Sequence, residues 1–217
     1  MFIGHFAVAL GAKRAAPGIP LGLLVGAAIA LDLIWPLLLL AGIETVRIDP
    51  GNTAFTPLAF DHYPWSHSLV MAFAWGALAA LIALPRLRSS AAATLIGAVV
   101  VSHWVLDYVT HRPDLPLWPG GTMFGLGLWN SIPATLIVEG LLCGAAVFAY
   151  ATAFPPRDAI GRWAFRVLIA MVTVIWATQP WSPPPPSAGA IAAVGVTMWL
   201  FPLWAGWIDR HRRRMPA

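Results

Sequence analysis

The chain is 217 residues long, 59% hydrophobic and only 10% charged, with a mean hydropathy of +0.75. Soluble domains carry about 25% charged residues, so a soluble globular enzyme, a disordered segment and a nucleic-acid-binding tail are excluded. The net charge of +4 rests on 13 basic and 9 acidic residues whose clustering reports membrane topology, and one cysteine, Cys143, excludes an intramolecular disulfide and a cysteine-rich zinc site.

In chain order, Met1 to Ala12 is apolar but short of the roughly 20 residues a crossing needs. Lys13 and Arg14 follow this run, whereas a signal peptide carries its charges first. The segment reads as a half-helix that dips into the bilayer and returns through Ala15-Ala16-Pro17-Gly18. Such a form is tolerated only when it packs on other protein. Six longer apolar stretches follow: Ile19–Ile43, His67–Leu84, Ala91–Val109, Leu128–Phe154, Ile160–Thr178 and Ala188–Ile208. Each is near or above crossing length. Pro183–Pro186 is a stiff connector. The expected fold is all-α, a polytopic membrane helical bundle of about six transmembrane helices plus the N-terminal half-helix. It forms a single domain over 1–217, with the chemistry-bearing half at about 1–115 and supporting helices at about 126–210.

Loop charges set the orientation. Lys13, Arg14, Arg86, Arg88, Arg157, Arg162, Arg210, Arg212, Arg213 and Arg214 fall on one side, and Arg47 and Arg112 on the other. Both termini are therefore expected on the cytoplasmic face of the inner membrane. The loops Glu44–Ser66 and Thr110–Gly127 then face the periplasm or exterior. The Arg210–Arg214 cluster reads as an anchor that touches anionic lipid.

Within this apolar frame, Asp32 and Glu139 sit inside spans. An intramembrane carboxylate costs roughly 2.5–3.5 kcal/mol and is as a rule functional. His103, Asp107 and His111 stand at i, i+4 and i+8, on one helix face. That spacing suits one ion bridged by His103 and Asp107, leaving His111 for a second ion or the substrate. At about 1.5 Å per residue, Asp32 and His103 reach the same level in a core about 30 Å thick. His67 opens its span from the outer side, with Ser66 as the expected N-cap. His5 rises toward the same depth on the half-helix. His5, Asp32, His67, His103 and Asp107 thus form the expected ligand set for a divalent metal, zinc first, with manganese or iron as alternatives. Glu139 or His62 is the expected general base, and His111 or Arg112 the holder of an anionic leaving group. Asp61 and Asp114 read as solvated loop acids.

The ordered set His5, Asp32, His62…Ser66-His67-Ser68 and Ser102-His103-Trp104-Val105-Leu106-Asp107-Tyr108-Val109-Thr110 resembles the YdjM-like family of inner-membrane metal-dependent hydrolases. The resemblance covers roughly residues 1–115. It implies His5, Asp32, His67, His103 and Asp107 as metal ligands. The chain departs from the family in carrying one acid, Asp32, where many members have an acidic pair, and in reading His62-Tyr63-Pro64-Trp65 where members have an Arg and a Gly.

The reading that follows is a hydrolase of a lipid-like or amphiphilic ester or phosphoester, with membrane lipids as surroundings and no nucleic-acid partner. Two rivals use the same residues differently. A metal-ion or proton transporter would use the intramembrane acids as a relay, and a scaffold would act through its basic tail.

Overall fold

The computed structural model describes residues 1–214. Helix α1 (Phe2–Ala15) is buried on nearly every side, through Ile3, His5, Phe6, Ala9, Leu10 and Lys13. A helix apolar all round belongs inside a bundle, and α1 is a central post packed on α2 (Leu21–Ala28), α6 (Ser90–Thr110) and α7 (Ile132–Ala153). Its basic last turn is fixed by Lys13. That ammonium donates to the carbonyls of Pro17 and Ile19 and to Asp209 on α10 (Leu200–Arg210). Asp209 in turn accepts the first amide of α2, from Leu21, at 3.0 Å. The other end of α1 lies deep in the protein, where the Met1 amino group meets Asp107.

The expected span Ile19–Ile43 is broken. Helices α2 and α3 (Ala30–Leu40) meet at Ile29 with a bend of 55°. The break places Asp32 in the first turn of α3, where the positive end of the helix dipole favours a carboxylate. Pro36 in α3 packs on Gly195 of α9 (Ala188–Thr197), where an added Cβ would lie 2.5 Å from the Pro36 ring. A hairpin follows, β1 (Thr45–Ile48) and β2 (Leu58–His62), antiparallel with an irregularity between Thr45 and Arg47. The short helix α4 (Pro64–His67) then ends at an extended Ser68.

Helix α5 (Leu69–Leu87) starts from Ser68, whose hydroxyl accepts the Met71 amide. Ser68, rather than the expected Ser66, is thus the cap of this span, and His67 closes α4 instead of opening α5. Helices α5 and α6 form a tight pair because Gly76 faces Gly97. A Cβ on Gly76 would come within 2.8 Å of the Gly97 carbonyl oxygen. Small residues that let backbones approach are the usual basis of helix association in membranes. After α6 come a minimal hairpin, β3 (Leu115–Pro116) with β4 (Met123–Phe124), and α7, α8 (Ala159–Thr178), α9 and α10. Caps at Ser131, Asp158 and Ser187 start α7, α8 and α9.

The all-α bundle agrees with the sequence reading. Among the described residues, α5, α6, α7, α8 and the consecutive α9–α10 (Ala188–Arg210) are long and apolar enough to cross a membrane, and the bent α2–α3 pair makes a sixth segment if taken as one span. Their outer faces carry bare apolar side chains, with Leu141 70%, Phe148 72% and Leu203 70% exposed. In water such a surface would be an aggregation hazard; in a bilayer it is the solvated face. The chain is a multi-pass membrane protein. The two small hairpins were not expected, since strands of two to five residues are too short to set a period-2 pattern. The tail also differs from expectation. Arg212 turns inward, donating to the carbonyls of Phe154 and Gly161 and lying over the rings of Phe165 and Tyr150.

Candidate metal centre

Four elements converge on one point. Helix α1 brings His5, α3 brings Asp32, α4 brings His67, and α6 brings both His103 and Asp107. His5, His67, His103 and Asp107 are buried, and Asp32 keeps a quarter of its side-chain surface. The spacing of His103 and Asp107 works as read from the sequence: Nε2 of His103 lies 3.1 Å from Oδ2 of Asp107. Asp32 Oδ1 is 3.8 Å from His103 Nε2 and 3.6 Å from His67 Nε2. His67 Nε2 is 4.0 Å from Asp107 Oδ2. His5 Nε2 approaches the other Asp107 oxygen at 3.2 Å.

Hydrogen bonds on the far side of two rings decide their tautomers. His103 Nδ1 lies 2.8 Å from the carbonyl of Ala28, beside the α2–α3 break. A carbonyl only accepts, so this nitrogen carries the proton and Nε2 presents a lone pair to Asp107 and Asp32. His67 Nδ1 lies 2.7 Å from Ser66 Oγ. That hydroxyl donates to Glu44 at 2.6 Å and so accepts from His67, leaving a second Nε2 lone pair toward the carboxylates. In neutral rings, lone pairs facing carboxylate oxygens in a dry site repel unless a cation lies between them. Outer partners on Nδ1 with Nε2 turned inward are also the usual arrangement around a metal.

Two triads, His5–His103–Asp107 and Asp32–His67–His103, have donor atoms within 4.8 Å of one another. These buried His and Asp groups could hold a metal ion. The triads share His103, which has a single free lone pair. The His5 and His103 rings stack in near-parallel planes, with centroids 3.7 Å apart and 5° between planes. An ion lying in the plane of one ring lies well out of the plane of the other. The stacking therefore sets His5 apart from the remaining four groups.

Beside the cluster is a cavity of about 180 Å³. Its walls include Asp32, His67, Asp107 and His5 on one side and Trp35, Phe60, Trp129 and His111 on another. His111 is buried and gives Nδ1 to Asp114 at 2.9 Å, a pair that Arg112 Nε joins at 3.2 Å. Asp114 is 12% exposed rather than a solvated loop acid. Tyr63 donates to the Asp114 carbonyl at 3.0 Å. Burial, reinforced by Asp114, pushes its phenol well above the ordinary range, so it stays a neutral donor.

The remaining expected residues do not line the cavity. His62 is exposed at the end of β2, opposite Thr45. It fails as a general base because the strand turns it out of the cluster. Arg112 is 42% exposed on its side chain and serves Asp114, not the cavity. Glu139 is fully buried on α7, with no hydrogen-bond partner for either oxygen, and it does not line the cavity. Two residues were missed, Glu44 and Asp114. Glu44 reads as one more loop acid, and no local spacing marks it as the partner of Ser66.

No family model, curated protein or solved structure matches this chain.

Proposed function

We propose that the protein is a membrane-embedded, metal-dependent hydrolase of a lipid-like or amphiphilic ester or phosphoester, with Asp32, His67, His103 and Asp107 as ligands of one zinc ion. The observation that carries this reading is that each of the two imidazole Nε2 atoms lies near both carboxylates, at 3.1, 3.6, 3.8 and 4.0 Å. A tetrahedron of ligands about 2.0–2.1 Å from zinc has edges of about 3.4 Å. The histidines already expose Nε2, so little rearrangement is needed. Imidazole and carboxylate donors without thiolate also admit manganese or iron.

When bound, the ion supplies Lewis-acid polarisation and a water acidified toward neutrality. The chain supplies the rest. His5 braces Asp107 and stacks on His103. His111, oriented by Asp114 and lining the cavity, is placed to hand a proton to a leaving group. This assigns it the proton-transfer role in place of His62 and Glu139. A cavity of about 180 Å³ accommodates a reacting headgroup while acyl tails remain in the bilayer. Below the cluster, α1 presents Phe6, Ala9 and Leu10, all buried, before the basic turn. That apolar plug favours a one-sided pocket over a transport path. The basic residues at the far end of α1 favour a site on the periplasmic or exterior side of the inner membrane. The YdjM-like resemblance implies the same four ligands together with His5, which in this reading braces Asp107 instead.

Metal analysis of the purified protein, paired with hydrolysis of amphiphilic ester and phosphoester substrates, tests the proposal. The expected result is one zinc per chain and an activity lost on chelation and restored by zinc. A folded, metal-free protein, or hydrolysis indifferent to chelators, contradicts it.

A further inference from the structure

We infer that Glu44 is a positioning residue: through Ser66 it fixes the ring tautomer of His67 and keeps Nε2 of that ring free for a cation. The inference rests on the metal-centre reading above.

Glu44 stands immediately before β1 and is 2% exposed. Its carboxylate makes three short contacts, all to one side. Oε1 accepts the amides of Trp65 and Ser66, both at 2.8 Å, and Oε2 accepts the Ser66 hydroxyl at 2.6 Å. The two amides belong to the first turn of α4, whose donors have no partner within the helix. Glu44 thus acts as a cap delivered from another part of the chain, and it sets where α4 and His67 sit. The third contact is the informative one. A carboxylate cannot donate, so the Ser66 proton is directed to Glu44. The oxygen of Ser66 is left to accept, and at 2.7 Å its partner is His67 Nδ1. The order Glu44, Ser66, His67 is therefore a polarised chain with every proton directed away from the cluster. Its last member is the lone pair on Nε2, which faces Asp32.

Glu44→Gln keeps the shape and the two amide contacts through Oε1 but puts an NH2 group against Ser66. The Ser66 proton then has only His67 Nδ1 at 2.7 Å or the Tyr63 carbonyl at 3.3 Å. The bias toward Nδ1–H on His67 is lost, and the ring populates the form with a proton on Nε2, which has no lone pair to offer a cation in the cluster. Ser66→Ala removes the connecting oxygen and releases the same bias by another route.

The test reads tautomer and metal separately. Imidazole ¹⁵N spectra of the metal-free protein in lipid nanodiscs, with His67 assigned by His67→Gln, give the tautomer. Titration with zinc gives the affinity. Wild type is expected to hold His67 as Nδ1–H, and both variants to shift toward Nε2–H. Zinc binding weakens about 10–100-fold, the range for loss of an outer partner of a metal-bound histidine. Unchanged unfolding of Glu44→Gln shows that α4 is still held. The inference is overturned if His67 remains Nδ1–H in both variants, or if both bind zinc as wild type does. A wild-type protein that binds no zinc defeats the metal reading, and the tautomer spectra then decide the relay on their own.

Discussion

The two ends of α1 carry similar ingredients and treat them in opposite ways. At the basic end, each buried charge is answered by the chain. Lys13 has two carbonyls and Asp209, and Arg212 has two carbonyls and two aromatic faces. At the His5 end, two carboxylates face two imidazole lone pairs. His103 Nε2 and His5 Nδ1 have no hydrogen-bond partner, and the Met1 amino group is drawn onto Asp107. Satisfied charges at one end describe a structural clamp. Acceptors crowded against acceptors at the other describe a site that could hold a metal ion. Burial alone does not separate these cases; the direction of each hydrogen bond does.

The largest effect expected from this contrast is at Asp107. Asp107→Asn and His103→Ala should each weaken zinc binding by more than about 100-fold, beyond what outer partners command, as read by metal analysis after gel filtration. Retention of one zinc per chain in either variant would erase the distinction between the two ends. Lys13→Ala should do the reverse. Breaking the buried pair strands Asp209, which keeps 20% of its side-chain surface. The expected loss is about 3 kcal/mol, the lower end for such pairs, in a micellar unfolding titration, with zinc content intact. Gly76→Ala should cost about 1–3 kcal/mol by forcing α5 from α6, again without loss of zinc at saturation. The smallest effect lies in the tail. A hydrogen bond from His211 at 2.7 Å, helped by the Gly161 amide, holds the Asp158 carboxyl below its ordinary range. A depressed carboxyl contributes stability above its unfolded pKa and loses it as pH falls through the folded value. His211→Ala should therefore raise the Asp158 titration midpoint in ¹³C NMR and narrow that acid-side contribution, leaving zinc binding unchanged.

The apolar runs were legible because a bilayer demands length and little else. Four expected spans correspond to single observed helices within a few residues, with Leu128–Phe154 shortened to Ile132–Ala153, and the fifth, Ala188–Ile208, is covered by α9 and α10, which part at Met198–Trp199. The break at Ile29 was not legible. No Pro or Gly marks it, and its cause lies in what packs there, including the His103 ring on the Ala28 carbonyl. The i, i+4 pair of His103 and Asp107 could be read directly, as could the depth of Asp32, because helix geometry converts number into height. His62 and His67 look alike in sequence. They diverge because one ends a strand and the other ends a four-residue helix pinned by Glu44. Glu44 escaped notice because it reaches Ser66 across a hairpin whose path the sequence does not encode locally, whereas Asp114, local to His111 and Arg112, was misread as solvated because its burial is set by the surrounding loop.

X-ray absorption at the zinc edge of the loaded protein tests the central claim most directly. The expected spectrum is a four-coordinate shell at about 2.0–2.1 Å with the multiple scattering of two imidazoles, reduced to one in His67→Gln. A shell with no imidazole signature, or one unaltered by that substitution, would contradict it.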